Sequence, residues 1–370
     1  MKKCIFHIPI ALDPNALSAS GIRPMKMLQA FREIGYEVAE VSGDAKSRKK
    51  AIREIKANIK KGVHYDFLYS ESSTTPTILT EKHHFPTHPF LDFSFFEFCR
   101  KNHIKIGLFY RDIYWKFDTY KKALPAWKAF LAIYCYKYDL KKYEQLLNKL
   151  YLPSLKLYSY IKIENLDFIA DVLPPGCQNQ LREQMNEDRI RNFDEKPLVI
   201  FYVGGLGECY DISELMAAVS KIKQCKMIIC CRKNEWEKEK DSLKKYIVNG
   251  NIEIIHKNNQ ELEPYYEQAD ICCLLFRPYV YRELAIPFKA FEYLGHLKPV
   301  LVSKKTLISE FVDQYKIGWS MEYSTDVIYR KLSEIIENPD LLQEKKRNCI
   351  KAREENTWCK RAEKVAADLK

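Results

Sequence analysis

The chain has 370 residues, 46% of them apolar and 29% charged, which suits a folded protein with more than one core and excludes a disordered one. No run approaches the roughly 18 apolar residues that span a bilayer. The 12 cysteines form no Cys-x-x-Cys pair, so they predict small buried side chains in a reducing compartment rather than a disulfide framework or zinc site.

The opening "MKKCIFHIPIAL" carries two lysines and an apolar run. Its histidine and proline, and Asp13 directly after, make it a buried first strand rather than a leader. Further strand-length runs follow: "YEVAEVSG", "DFLYSES", "KIGLFYRD", "KLYLPS" and "LDFIADVLPPG". In the second half come "PLVIFYVGG", "KMIICCR", "NIEIIH", "ICCLLF", "PVLVS" and "IGWSME". Helical-period stretches such as "IRPMKMLQAFREIG" and "DISELMAAVSKIK" separate nearly all of them. Such alternation predicts an α/β protein with parallel sheets covered on both faces. The polar stretch "CQNQLREQMNEDRIRNFDEKP" after "PPG" reads as a hinge near residue 180. The expected organisation is therefore two doubly wound, Rossmann-like domains, 1–178 and 179–350, facing a central cleft. A C-terminal helix, 351–370, would pack back toward the first domain. Ligands of such sheets lie beyond the carboxyl ends of the strands.

The positive charge, +11 in all, is uneven. Between Lys116 and Lys162 ten lysines face Asp118, Asp139 and Glu144, a net of +7, interleaved with Trp127 and eight tyrosines. This pattern fits a solvated helix with inward aromatics, or an anionic membrane surface. Nucleic acid is the weakest of its readings.

Several strand ends carry chemistry. In "LVIFYVGGLGECYD", Gly204 and Gly205 permit close backbone approach, and the helix that follows offers N–H groups to an anion. A dinucleotide fingerprint would need a third glycine, where Tyr210 stands, so another phosphate-approach turn or a structural tight turn fits better. Arg232 follows "KMIICC" as a candidate phosphate clamp. In "PFKAFEYLGHLKPVLVS", Pro287 suits a first helical turn, and Lys289 and Glu292, three apart, share a face. The lysine would neutralise a diphosphate and the glutamate would hold ribose hydroxyls; the alternative is a surface ion pair. Asp112 and Glu71, each at a strand end, are candidate bases or acceptor-orienting carboxylates. Ser20, Gly21 and Arg23 in the first strand–helix turn, with Arg111, are candidate acceptor contacts. Glu81, His83, His84 and His88 match no known ligand spacing, and no metal site is expected.

The run "YRELAIPFKAFEYLGHLKPVLVS" resembles the nucleotide-binding segment of GT-B glycosyltransferases, those like family 4 (glycosyl transferases group 1) in particular. "YVGGLGECYDISELMAAV" is similar to the first strand–turn–helix of that family's donor domain, and "SGIRPMKMLQAFREIGYEV" resembles the opening of its acceptor domain. The resemblance implies a GT-B fold and a metal-independent enzyme without cofactor. Such an enzyme moves a sugar from a nucleotide diphosphate, UDP ahead of GDP, onto a glycan or lipid-linked glycan with retention of configuration. It implies surface polysaccharide synthesis in bacteria; the cysteine usage points to the cytoplasm, and the basic segment 116–162 to a peripheral place at the inner face of the plasma membrane. The resemblance places ribose on Glu292, the donor near Lys289, and the phosphates against Gly204 and Gly205. Two departures stand out. The position of a first paired glutamate is Leu284, with Glu283 one residue out of register, and the usual Arg and Lys after the glycine turn are absent. Rival functions are an NADP-dependent oxidoreductase using "GGLG" and Arg232, and a non-catalytic glycan-binding or assembly protein.

Overall fold

The apolar runs form two parallel sheets, because strands buried on both faces need no polar alternation. The fold comes from a computed structural model that describes residues 2–16, 18–161, 169–178, 192–277, 284 and 286–370. One compact unit comprises 1–176 with 358–370, and the other 177–357. Most of the expected hinge, and Glu283, lie outside the described residues.

Unit one holds β1 (Lys2–His7), β2 (Tyr36–Val41), β3 (Phe67–Glu71), β4 (Lys105–Phe109), β5 (Lys149–Leu152) and β6 (Ala170–Val172). All are parallel, in the order β2-β1-β3-β4-β5-β6. The strand order reverses between β1 and β3. A buried network fastens that point. His7 lies 2.8 Å from Ser70 Oγ and 3.0 Å from Asp92, and Arg48 donates to Asp92 at 3.0 Å and to the Pro9 carbonyl at 2.9 Å. Burial would raise the Asp92 carboxyl, but His7 and Arg48 outweigh it and hold the group below the usual range. Although Ser70, His7 and Asp92 resemble a catalytic triad in connectivity, all three are buried, and their work is to pin strand ends to flanking helices.

Residues 351–370 are not one helix. The helix Asp340–Glu355 belongs to unit two, so the expected boundary at 350 falls inside it, and a second helix, Trp358–Asp368, belongs to unit one. That helix buries Trp358, Ala362 and Val365. Gly107 on β4 permits its approach, since a Cβ there would come within 2.8 Å of Leu369 and 2.9 Å of Tyr151. Tyr151 donates to Asp368 at 3.0 Å.

Unit two holds β7 (Leu198–Val203), β8 (Cys225–Cys230), β9 (Ile252–Ile255), β10 (Ile271–Leu274), β11 (Val300–Ser303) and β12 (Gly318–Met321). The order β12-β11-β10-β7-β8-β9 is again fully parallel and reverses between β7 and β10. A crevice for a ligand is expected at the carboxyl ends of those two strands. The thiols of Cys225, Cys272 and Cys273 are free and buried in this core. Burial pushes all three up, which leaves them unreactive thiols at neutral pH.

Candidate functional site

The β7–β10 ladder stops at Phe201 and Cys272, so Val203 has no strand partner on that side. Tyr293 fills the gap: its buried hydroxyl accepts from Val203 N–H at 3.1 Å and donates to Val203 C=O at 3.3 Å. The helix Phe288–Gly295 is thereby fastened at the switch point of the sheet. Its inner face buries Ala290, Phe291, Tyr293 and Leu294, which leaves Lys289 and Glu292 on the half-buried side. Pro287 is the N-cap residue, just ahead of the helix rather than in its first turn as expected, because its ψ of 140° is extended.

Lys289 donates to Glu292 at 2.7 Å, and their side chains retain 32% and 27% exposure. Tyr266 donates to the other Glu292 oxygen at 2.7 Å. Burial, and then the Glu292 carboxylate, push Tyr266 well above the usual phenol range, so it keeps the proton it donates. The Tyr266 ring stacks on His296 at 4.0 Å between centroids. Glu292 is thus held by a buried aromatic donor on one side and a partly exposed ammonium on the other. A carboxylate so placed can exchange Lys289 for a pair of ligand hydroxyls without losing its Tyr266 support. Leu284, where the related pattern carries a first glutamate, is buried.

At the end of β7, Tyr202 donates to the Gly205 carbonyl at 2.6 Å. A Cβ on Gly204 would come within 2.6 Å of that Tyr202 hydroxyl, so the glycine is required by the turn itself. The N–H groups of the turn are not all open to an anion. Leu206 N–H donates to Glu235 at 3.3 Å, and Arg232 donates to the same carboxylate at 2.6 Å. Arg232 is the N-cap residue of the helix Lys233–Leu243, and its side chain is 79% exposed. Sequence reasoning expected it to face phosphate; the structure pairs it with Glu235. The sequence reading missed Glu235, whose signal was its i,i+3 spacing from Arg232. It also missed Arg277, just beyond β10, which donates to Asp211 at 2.9 Å. Burial would raise Asp211, but hydrogen bonds from Ser213, Arg277 and Tyr323 outweigh it and hold that carboxyl low.

In unit one the expected residues separate by burial. Glu71 has no exposed surface, and accepts from Tyr69 at 3.0 Å and from Arg111 at 3.2 Å while Arg23 lies 3.3 Å away. It is a structural carboxylate between two guanidiniums, so the expectation of a general base there is corrected: substrate has no access to it. Arg111 also donates to Ser72 C=O at 3.3 Å. Burial pulls its guanidinium below the usual range, and Glu71 opposes that. Arg23 lies over the Phe109 ring at 3.5 Å and is buried, which removes its side chain from direct contact with an acceptor. Ser20 and Gly21 remain partly open, with Ser20 Oγ 2.8 Å from Ser18 Oγ. Asp112 is half-buried and accepts from Tyr114 N–H at 2.9 Å, a local turn bond two residues on, just before the short helical turn Tyr114–Lys116. Among the described residues no three His, Cys, Asp or Glu side chains gather as a metal set. Glu81 instead accepts from Ala45 N–H at 2.8 Å.

Two fully parallel six-stranded sheets, each with flanking helices, define the GT-B class, and solved structures agree. The chain is similar to sucrose-phosphate synthase from Thermosynechococcus elongatus, at a TM-score of 0.62, 13% identity, and 99% and 98% coverage of the two chains. It is similar to HepE of Anabaena in complex with UDP, at a TM-score of 0.64, 10% identity, and 100% and 99% coverage. It is also similar to WaaG, a glycosyltransferase involved in lipopolysaccharide biosynthesis, at a TM-score of 0.58, 12% identity and 99% coverage of both chains. No curated protein matches the sequence. Residues 183–356, nearly all of unit two, match the family model for glycosyl transferases group 1. The match lies within unit two, and that part of the chain is similar to this family of glycosyltransferases.

Proposed function

We propose that unit two binds a nucleotide diphosphate sugar, UDP-linked in preference to GDP-linked, and that the enzyme transfers the sugar to a glycan or lipid-linked glycan. The observation that carries this reading is the Lys289–Glu292 pair, fastened to the end of β7 by Tyr293 and still about a third exposed. Glu292 takes the ribose hydroxyls and Lys289 turns to the diphosphate. Arg232 joins it when released by Glu235, and the Gly204–Gly205 turn lets the phosphates approach. As the bond between the anomeric carbon and the phosphate oxygen breaks, its electron pair leaves with the diphosphate. The cations stabilise that developing charge. The acceptor oxygen bonds to the anomeric carbon and its proton passes to a phosphate oxygen. Retention by this route needs no strong base, which accords with a Glu71 locked away from substrate. Asp112, Ser20 and Gly21 then serve the acceptor. No metal or organic cofactor enters the scheme.

The UDP and UDP-glucose complexes of HepE support the choice of nucleotide. WaaG's part in lipopolysaccharide biosynthesis supports a bacterial surface polysaccharide, made by a cytoplasmic enzyme peripheral at the inner face of the plasma membrane. The basic segment 116–162 supports the membrane part, and no described helix is long and apolar enough to cross a bilayer. Thermal shift with UDP, GDP, ADP and NADPH tests the reading. UDP should raise the melting temperature most and NADPH not at all. A shift with NADPH alone would move the protein to the oxidoreductases.

A further inference from the structure

The helix Ala126–Leu146 departs from the rule that an outward face is polar. Its inner face buries Ala132, Cys135, Tyr136, Asp139, Leu140 and Tyr143. Its outer stripe, at spacings of three and four residues, begins with Trp127, Phe130 and Tyr134, which are 62%, 76% and 65% exposed. The same stripe continues as Lys137 and Lys141, both exposed. Three large aromatics in line on one helical face form a patch rather than scattered surface apolar residues. Just before it, the helix Asp118–Ala123 has no buried residue and presents Lys121 and Lys122. Aromatic rings thus lie between two groups of lysines.

We propose that this face docks on an anionic lipid bilayer, with Trp127, Phe130 and Tyr134 seated among the headgroups and the lysines around them on lipid phosphates. The proposal rests on the membrane reading of segment 116–162 and names the surface that makes contact. Charge complementarity selects the occupant. The segment carries +7, while Asp139, one of its three acids, is buried on the opposite side of the helix. Trp and Tyr have an apolar body and a polar tip, which suits the boundary between headgroups and chains. Lysine stems lie along apolar surface and carry the ammonium to the phosphate level. The exposed Lys128 ammonium lies 5.4 Å from the Trp127 ring centroid, so a cation accompanies the aromatic rings and Lys137 and Lys141 follow them.

Co-sedimentation of the full chain with vesicles of phosphatidylcholine and phosphatidylglycerol, against phosphatidylcholine alone, tests the proposal. The protein should bind the anionic vesicles, lose that binding as salt rises, and ignore the neutral ones. Replacing Trp127, Phe130 and Tyr134 together by serine should lower partitioning at least tenfold. All three are exposed, so the UDP-dependent rise in melting temperature should persist and serve as the folding control. Trp127 fluorescence, taken as the difference from Trp127→Phe, should be quenched by brominated lipid. If the triple variant sediments like the unaltered chain, this face is wrong although the membrane reading survives. If the unaltered chain binds no anionic vesicle, both fall, while nucleotide binding through Glu292 remains a separate question.

Discussion

Asp139 carries one of the clearest electrostatic consequences of the fold. It accepts from Thr77 N–H at 2.7 Å, and burial pushes its carboxyl up to about 7. A carboxyl raised in the folded state binds its proton more tightly there than in the unfolded chain. Its stability is therefore fully present below about pH 4 and is lost as the pH rises toward 7. Asp139→Asn should melt higher than the unaltered chain at pH 8, and the difference should vanish near pH 4. Equal melting curves at both values would contradict the assignment. Glu235 is a second case. Its carboxylate takes the Leu206 N–H and Arg232 that a diphosphate would use. Glu235→Gln removes that negative charge and should tighten UDP binding severalfold in calorimetry, whereas weaker binding would show that Glu235 supports the turn instead. Burial was the quantity that sequence could not supply at this scale. Glu71 and Asp112 look alike in the sequence as acids after a strand, but one is sealed between guanidiniums and the other, half-buried, accepts from Tyr114 N–H.

At the scale of elements, the helix Phe288–Gly295 is held by a side chain rather than by strand pairing. Tyr293→Phe would leave the Val203 N–H and C=O unsatisfied in a buried site, at a cost of about 1–3 kcal/mol. Chemical denaturation should register that loss through a lower midpoint with an unchanged slope. A midpoint within error of the unaltered chain would mean that the hydroxyl is not needed there. The twelve strands of the described residues are legible because each is a short apolar run followed by a helical stretch, and every run singled out in the sequence overlaps a strand. The ion pair of Lys289 and Glu292 was legible from spacing. Tyr266, which supports Glu292 from 26 residues away, was not, because its partner is set by tertiary packing.

For the whole molecule, the chain passes from unit one to unit two and ends in unit one. Periodicity announced a helical end but could not say that two helices divide between two cores. Ending the chain at Thr357 should uncover the surface that Trp358, Val365 and Leu369 cover. Calorimetric melting should then lose or lower the transition of unit one while a UDP-responsive transition persists. A melting profile equal to that of the full chain would contradict the division. The family match over residues 183–356 and the two sheet orders support the proposed class of enzyme, and its nucleotide rests on one carboxylate. Calorimetric titration of UDP into the unaltered chain and into Glu292→Ala tests that claim most directly. Affinity should be at least tenfold weaker in the variant, with unchanged circular dichroism. Equal affinity in the two proteins would contradict it.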